Sequence, residues 1–329
     1  MAYDKVVDSA LLDLGLKQVA DAIREKSGTS NSLAFPEAMV SAISAIETGG
    51  GGNTDVEDAI INRTIREYTN ARVTNIGSYA FGNCSSLTSV SFPVCTSIDS
   101  FAFGSCRSLV SVDFPACTSI GNYAFATCSS LTSVSFPACT NIGSYAFTTC
   151  SSLTSVSFSV CTSIGYNAFT NCSSLTSVSF PACTNIGSYA FANCSSLTSV
   201  SFPACTNIGS YAFGNCRSLT SVSFPVCTSI NKSAFANCSS LTSVDILGSA
   251  IGSNVFASCR NLSTLILRNS SVCRLSNSNA FSSTPYAGYS ASYSGTPYIY
   301  VPSSLIASYQ AATNWTYYSS YFSAIEDMQ

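Results

Sequence analysis

The chain has 329 residues, with 13 Lys and Arg against 16 Asp and Glu, no His, and a formal net charge of −3. Only 9% of its residues are charged and no basic cluster is present, which argues against nucleic acid as a partner. No apolar stretch reaches the roughly 18 residues that a membrane span requires.

Residues 1–48 read as two short helices. Leu12, Leu16, Val19 and Ile23 share one face at helical spacing, Gly28 suits the stop of the first helix, and Pro36 opens a second that runs through Val40, Ile43 and Ile46. A hairpin of this size buries little apolar surface alone. It is therefore expected to serve as an attachment or oligomerisation module, the alternative being a helical cap folded on the first coil. Asp4, Asp8 and Asp13 stand where a secretory signal would need a basic start and a clean apolar run. Residues 49–54 form a linker that opens with Gly49 to Gly52.

From 55 to 281 the chain repeats itself. Cys84, Cys106, Cys128, Cys150, Cys172, Cys194, Cys216, Cys238 and Cys259 follow one another at steps of 22 residues, the last step being 21. A second column, Cys95 to Cys227, runs midway between them. Such self-similarity marks a stacked array, because one repeat cannot bury its apolar face without neighbours. In the unit Leu153 to Ser174, strand alternation turns Val156 and Phe158 inward, with Leu153 entering from the preceding corner. Ser155 and Ser157 then face outward, and Thr154 has inward parity. Cys161, Ile164, Phe169 and Cys172 complete the expected core. Ile65, Tyr68, Val73 and Ile76 fit the template loosely and predict a degenerate first coil. The cysteines fall in no metal-type CxxC spacing, so buried thiols are expected, with oxidation between stacked neighbours left open.

Leu262, Leu265 and Leu267 predict a last clear strand, Asn269 to Asn279 breaks the period, and Ala280 and Phe281 partly resume it. Residues 282–329 are expected to form a Tyr-rich cap containing the single Trp315. The cap begins with a strand at Tyr298, and a short helix starts at Pro302 with Leu305, Ile306 and Tyr309 on one side.

The recurring pattern CxSLxxVxFPxxCTxIGxxAF resembles the BspA-like, or Treponema-type, leucine-rich repeat over about Ile65 to Phe281. The resemblance implies a leucine-rich-repeat solenoid with a parallel β-sheet and a mostly non-helical convex side. In that family units are usually about one residue longer, and most surface-exposed members act as adhesins or interaction modules. The segment VDSALLDLGLKQVADAIREKSGTSNSLAFPEAM resembles an N-terminal module of phage and prophage structural proteins of gut Firmicutes. The chain's ending is similar to the closing segment of repeat proteins from the same group. These likenesses imply a tail or baseplate protein of a virion, held to a virion structural protein through residues 1–48, with a homotrimer as a possible assembly.

No catalytic, cofactor or metal site is expected. The absence of His removes Ser–His chemistry, Asp99, Asp113 and Asp245 form no carboxylate pair, and the glycine run has no Lys and no preceding strand. Three surfaces are candidates for binding a host-surface protein or a glycan. The sheet face is lined by Ser and poor in anchors. An aromatic column contains Tyr79, Phe101, Tyr123, Tyr145, Tyr189 and Tyr211, with Asn167 and Ser233 replacing the ring in two coils. The tail contributes Tyr286, Tyr289, Tyr293, Tyr298, Tyr317, Tyr318 and Tyr321. The readings that follow are a non-catalytic tail-associated binding protein, a bacterial surface adhesin, or a structural spacer.

Overall fold

The computed structural model describes residues 64–289 and 296–328. The expected helical pair, the glycine linker and Tyr293 lie outside the described residues.

Each repeat forms one coil of a parallel β-solenoid. In the central unit the strand Ser155–Ser157 is followed by the two-residue strand Ser163–Ile164, and the chain returns through turns carrying Ala168, Phe169 and Cys172. Ser155–Ser157 pairs in parallel with Ser177–Ser179, so that Val156 lies beside Val178. The short strands stack in sequence order into one ten-stranded sheet from Asn75–Ile76 to Arg274–Leu275. The longer strands form three hydrogen-bonded segments along the opposite face. The breaks follow Ser133–Ser135 and Ser199–Ser201, where Val134 and Val200 are half-exposed while Val112, Val156 and Val222 are buried. The returning turns are also laddered: the N–H groups of Tyr123, Phe125 and Thr127 donate to the carbonyls of Ser144, Ala146 and Thr148 in the next coil. Backbone groups buried between coils thus find partners on three sides without any helix.

Leu153, Val156, Phe158, Cys161, Ile164, Phe169 and Cys172 are all buried. Two columns of phenylalanine fill the coil. Phe169 stacks on Phe147 and Phe191 at 5.1 and 5.2 Å, and Phe158 meets Phe180 at 5.2 Å. The columns meet edge to face, as in Phe158–Phe169 at 62°. Each such contact is worth about 0.5–1.5 kcal/mol beyond its buried area.

All seventeen cysteines are free and buried. Each column has its own acceptor. Cys172 donates its S–H to the carbonyl of Phe147 at 3.2 Å, and Cys161 donates to that of Ser163 at 3.3 Å. A small side chain with a weak donor thus adds a second bond to carbonyls that the turns bring to the core.

Thr154, assigned inward parity, is exposed instead. The strand begins at Ser155, so alternation does not extend back to it. Its hydroxyl donates to the carbonyl of Thr132 in the preceding coil at 3.3 Å, one rung of a threonine ladder that Thr132, Thr176 and Thr198 continue. Glycine recurs at one corner of most coils for a different reason, Asp99 and Asn231 taking the position in two of them. A Cβ on Gly165 would stand 2.6–2.7 Å from the backbone of Gly143 and Ser144, so the coils close to their observed spacing only without it.

The interrupted segment Asn269 to Asn279 keeps its place in the stack, with Ala250 beside Arg274 and Ile251 beside Leu275. Phe281 stacks on Phe256 at 5.4 Å. Beyond it, Tyr298–Val301 pairs with Thr264–Leu267, and Phe322–Ala324 pairs with Tyr298–Val301, both in parallel. The tail therefore extends the sheet face by two strands. Among the described residues the one α-helix is Ile306–Ala311, preceded by a 3-10 turn at Ser303–Leu305. It buries Tyr309, with Leu305 and Ile306 half-buried beside it.

Candidate interaction surface

Three placements decide which of the sequence candidates can meet a partner. The first concerns the tail. Tyr286 and Tyr318 are buried, their hydroxyls spent on the carbonyls of Tyr298 and Ser278. They were candidates for partner contact, but they pack the cap and offer no surface. Trp315 and Tyr309 are fully buried in the same cluster. Tyr321 is half-buried against Tyr286, and Tyr289 is half-buried with the guanidinium of Arg260 5.3 Å from its ring centre. Tyr298 and Tyr317 remain exposed, at 43% and 72%.

The second concerns the aromatic column. Tyr123 and Tyr145 stack at 4.5 Å with planes 5° apart, and Tyr189 and Tyr211 do so at 4.9 Å. Their faces are consumed by one another, so a glycan finds ring edges there and no stacking platform. These residues sit at φ between 56° and 59°, left-handed backbone that Asn adopts more readily than an aromatic residue. This accounts for Asn167 at the same position. Asn167 is buried, and Thr170 donates to its side chain at 2.7 Å. The preceding residue, Tyr166, fills the gap, standing edge-on to Tyr145 at 5.4 Å and to Tyr189 at 5.7 Å. Sequence reasoning passed over Tyr166, although the exchange of the usual Ser-Tyr for Tyr-Asn at 166 and 167 was the signal. Ser233, also buried, ends the column.

The third placement joins the tail to the sheet face. Over most of its length that face is two columns of serine, with Ser177 between Ser155 and Ser199, and Ser179 between Ser157 and Ser201. At the C-terminal end the same two columns change character. One runs Ser221, Ser243, Thr264, Tyr298; the other runs Ser223, Asp245, Ile266, Tyr300, Ser323. Tyr298 and Tyr300 lie 5.8 Å apart at 34°. Arg268 closes the row: its Nε and Nη2 donate to the two carboxylate oxygens of Asp245 at 2.7 and 2.9 Å. This two-pronged geometry holds the guanidinium plane still and raises the Arg268 pKa, chiefly through the bond to Asp245. Tyrosine and arginine on a rigid strand surface are the residue types that concentrate binding energy. The patch is assembled by pairing between Thr264–Leu267 and Tyr298–Val301, segments too far apart in the chain for either to announce the other.

Among the described residues, no group of three or more His, Cys, Asp or Glu side chains is placed to hold a metal ion. Ser229 to Lys232 has the spacing Ser-x-x-Lys. It spans the end of a two-residue strand and the following turn, so no helix brings hydroxyl and ammonium onto one face. No described helix is long and apolar enough to cross a membrane.

The BspA type leucine-rich-repeat region matches the chain in six copies, over residues 65–176 and 162–287. The chain belongs to the BspA-type leucine-rich-repeat family. No curated protein matches this BspA-type chain in sequence. Among solved structures, it is similar to a leucine-rich cell surface protein of Faecalibacterium prausnitzii, with 24% identity over 73% of this chain and 82% of that one and a TM-score of 0.41. It is also similar to a leucine-rich-repeat protein of T. pallidum, with 27% identity over 58% and 84% of the two chains and a TM-score of 0.42. A third is a leucine-rich-repeat protein of Bacteroides ovatus, with 25% identity over 63% and 79% and a TM-score of 0.31. The family is one of binding solenoids, and no enzymatic family is indicated.

Proposed function

We propose that this BspA-type protein is a non-catalytic adhesin that binds a protein partner at a cell surface through the C-terminal end of its sheet face. One observation carries the reading. The face is serine for most of its length and then presents Tyr298, Tyr300 and the clamped Arg268–Asp245 pair on adjacent strands. The serine columns expose small hydroxyls with little area to bury, whereas the exposed Tyr298 and the half-buried Tyr300 supply a large rigid surface at small entropic cost.

A tail or baseplate role for the chain, with residues 1–48 as the attachment to a virion structural protein, rests on the N-terminal sequence likeness. Two experiments bear on these readings. Binding of the purified full chain to intact bacterial and animal cells is compared with that of the Tyr298→Ala/Tyr300→Ala variant. Hot-spot side chains are worth about 2 kcal/mol or more each, so binding should weaken by at least about thirtyfold. Undiminished cell binding by the variant would remove the patch from the account. Incorporation of the chain into virions that depends on residues 1–48 would favour the attachment role.

A further inference from the structure

The aromatic column carries an inference independent of partner binding. Tyr123, Tyr145, Tyr189 and Tyr211 are half-buried, and Tyr166 is 44% exposed, so the ring edges that carry the hydroxyls reach solvent while the faces lie against one another. Two pairs are almost parallel at 4.5 and 4.9 Å, and Tyr166 bridges them edge-on at 5.4 and 5.7 Å. Five phenols thus stand in continuous contact on a backbone fixed by inter-coil hydrogen bonds. Tyr79 stacks on Phe101 and Phe101 on Tyr123, so Phe101 separates Tyr79 from the run.

We propose that Tyr123–Tyr145 and Tyr189–Tyr211 are sites of intramolecular dityrosine formation, which staples neighbouring coils covalently under one-electron oxidation. Each phenol gives up one electron and one proton to become a phenoxyl radical. The two radicals join through a carbon–carbon bond between ring positions ortho to the hydroxyls, and the rings recover their aromaticity when those carbons shift their hydrogens to the oxygens. Per bond, the protein loses two hydrogen atoms, and a peroxide acting through a peroxidase accepts them, one hydrogen peroxide becoming two waters. Adjacent radicals in a column meet without diffusion, so the intramolecular bond precedes coupling between molecules. Staples of this kind would cross-link the solenoid through residues other than its cysteines, which are free and buried.

The test treats the dilute full chain with a haem peroxidase and hydrogen peroxide, then reduces and alkylates the cysteines so that disulfides make no contribution. No Lys or Arg lies between Arg107 and Arg217, so trypsin releases one fragment, residues 108–217, holding all five rings. The expected result is a protein of monomer mass whose fragment has dityrosine fluorescence and has lost two hydrogens per bond. Tyr145→Phe/Tyr189→Phe leaves Tyr123, Tyr166 and Tyr211 each without a tyrosine neighbour in the column. It keeps the stack, since Phe already occupies the column at Phe101, and it should abolish the product. The proposal is overturned if the wild-type fragment keeps its original mass while cross-linked dimers form through exposed Tyr317. It is equally overturned if the double variant yields the intramolecular product as readily as the wild type.

Discussion

The indole Nε1–H of Trp315 donates to the backbone carbonyl of Cys273 at 2.6 Å, tying the tail to the segment where the repeat loses its period. Trp315 also meets Phe281 at 6.0 Å and Tyr309 at 5.5 Å, so the last ring of the phenylalanine column is closed by the cap. Trp315→Ala is expected to cost about 3–5 kcal/mol. Trp315→Phe should cost about 1–3 kcal/mol, chiefly by leaving that carbonyl without its donor. Denaturant unfolding measures both, and hydrogen exchange should show the loss concentrated in residues 264–328. A uniform loss along the coils would contradict the cap's role as a separate closing element.

Glycines at two template positions should behave differently. Gly165→Ala places its Cβ against the backbone of the preceding coil and is expected to destabilise by about 1–3 kcal/mol, the coils that carry Asp99 and Asn231 at this position being spaced to admit a side chain. Gly104→Ala meets its nearest neighbour at 3.4 Å, and Ala126 and Ala192 already occupy that position in other coils. It should fall within about 0.5 kcal/mol of the parent. Thermal unfolding of the two variants side by side checks the contrast.

The buried thiols predict a pH dependence. Loss of solvent pushes Cys128 and Cys172 up to about 12 from the ordinary 9.0, and drives Cys150 and Cys194 well above it. Below 9.0 both folded and unfolded chains keep these protons, and the stability is fully present. Between 9.0 and about 12 the unfolded chain releases protons that the folded chain retains, so stability falls by up to about 1.4 kcal/mol per pH unit for each such thiol. Equilibrium unfolding from pH 7 to 11 should show a plateau and then a steep decline. Rapid alkylation of these cysteines in the native protein at pH 8 would contradict the burial that underlies it.

Much of this was legible in the sequence because it repeats. The positions of Leu153, Phe158, Cys161 and Phe169 are each stated at least seven times over, and periodicity alone turns them inward. Thr154 was misread because alternation was carried one residue beyond the strand, to a side chain that bonds a neighbouring carbonyl instead. Periodicity does not say why Asn167 replaces a ring; its left-handed backbone, which no spacing reports, is the reason it is there. The patch of Tyr298, Tyr300 and Arg268 was illegible for a different cause. A strand in a repeat names its partners by copying them, but Tyr298–Val301 copies nothing, and only the fold seats it beside Thr264–Leu267.

The Arg268–Asp245 pair should matter to binding more than to stability. Arg268 is 46% exposed at its side chain and Asp245 25%, so solvent weakens their attraction and Arg268→Ala should change stability by less than about 1 kcal/mol. Arg268→Lys loses the two-pronged geometry and should not restore binding to intact cells. Full binding by either variant would exclude the pair from the contact.

The central claim is that recognition lies where the serine columns give way to tyrosine. Its most direct test is one cell-binding assay on two full-chain variants, Ser155→Arg/Ser157→Arg in the middle of the face and Tyr298→Ala/Tyr300→Ala at its end. The account predicts wild-type binding by the first and loss of binding by the second. Loss in the first with retention in the second would contradict it.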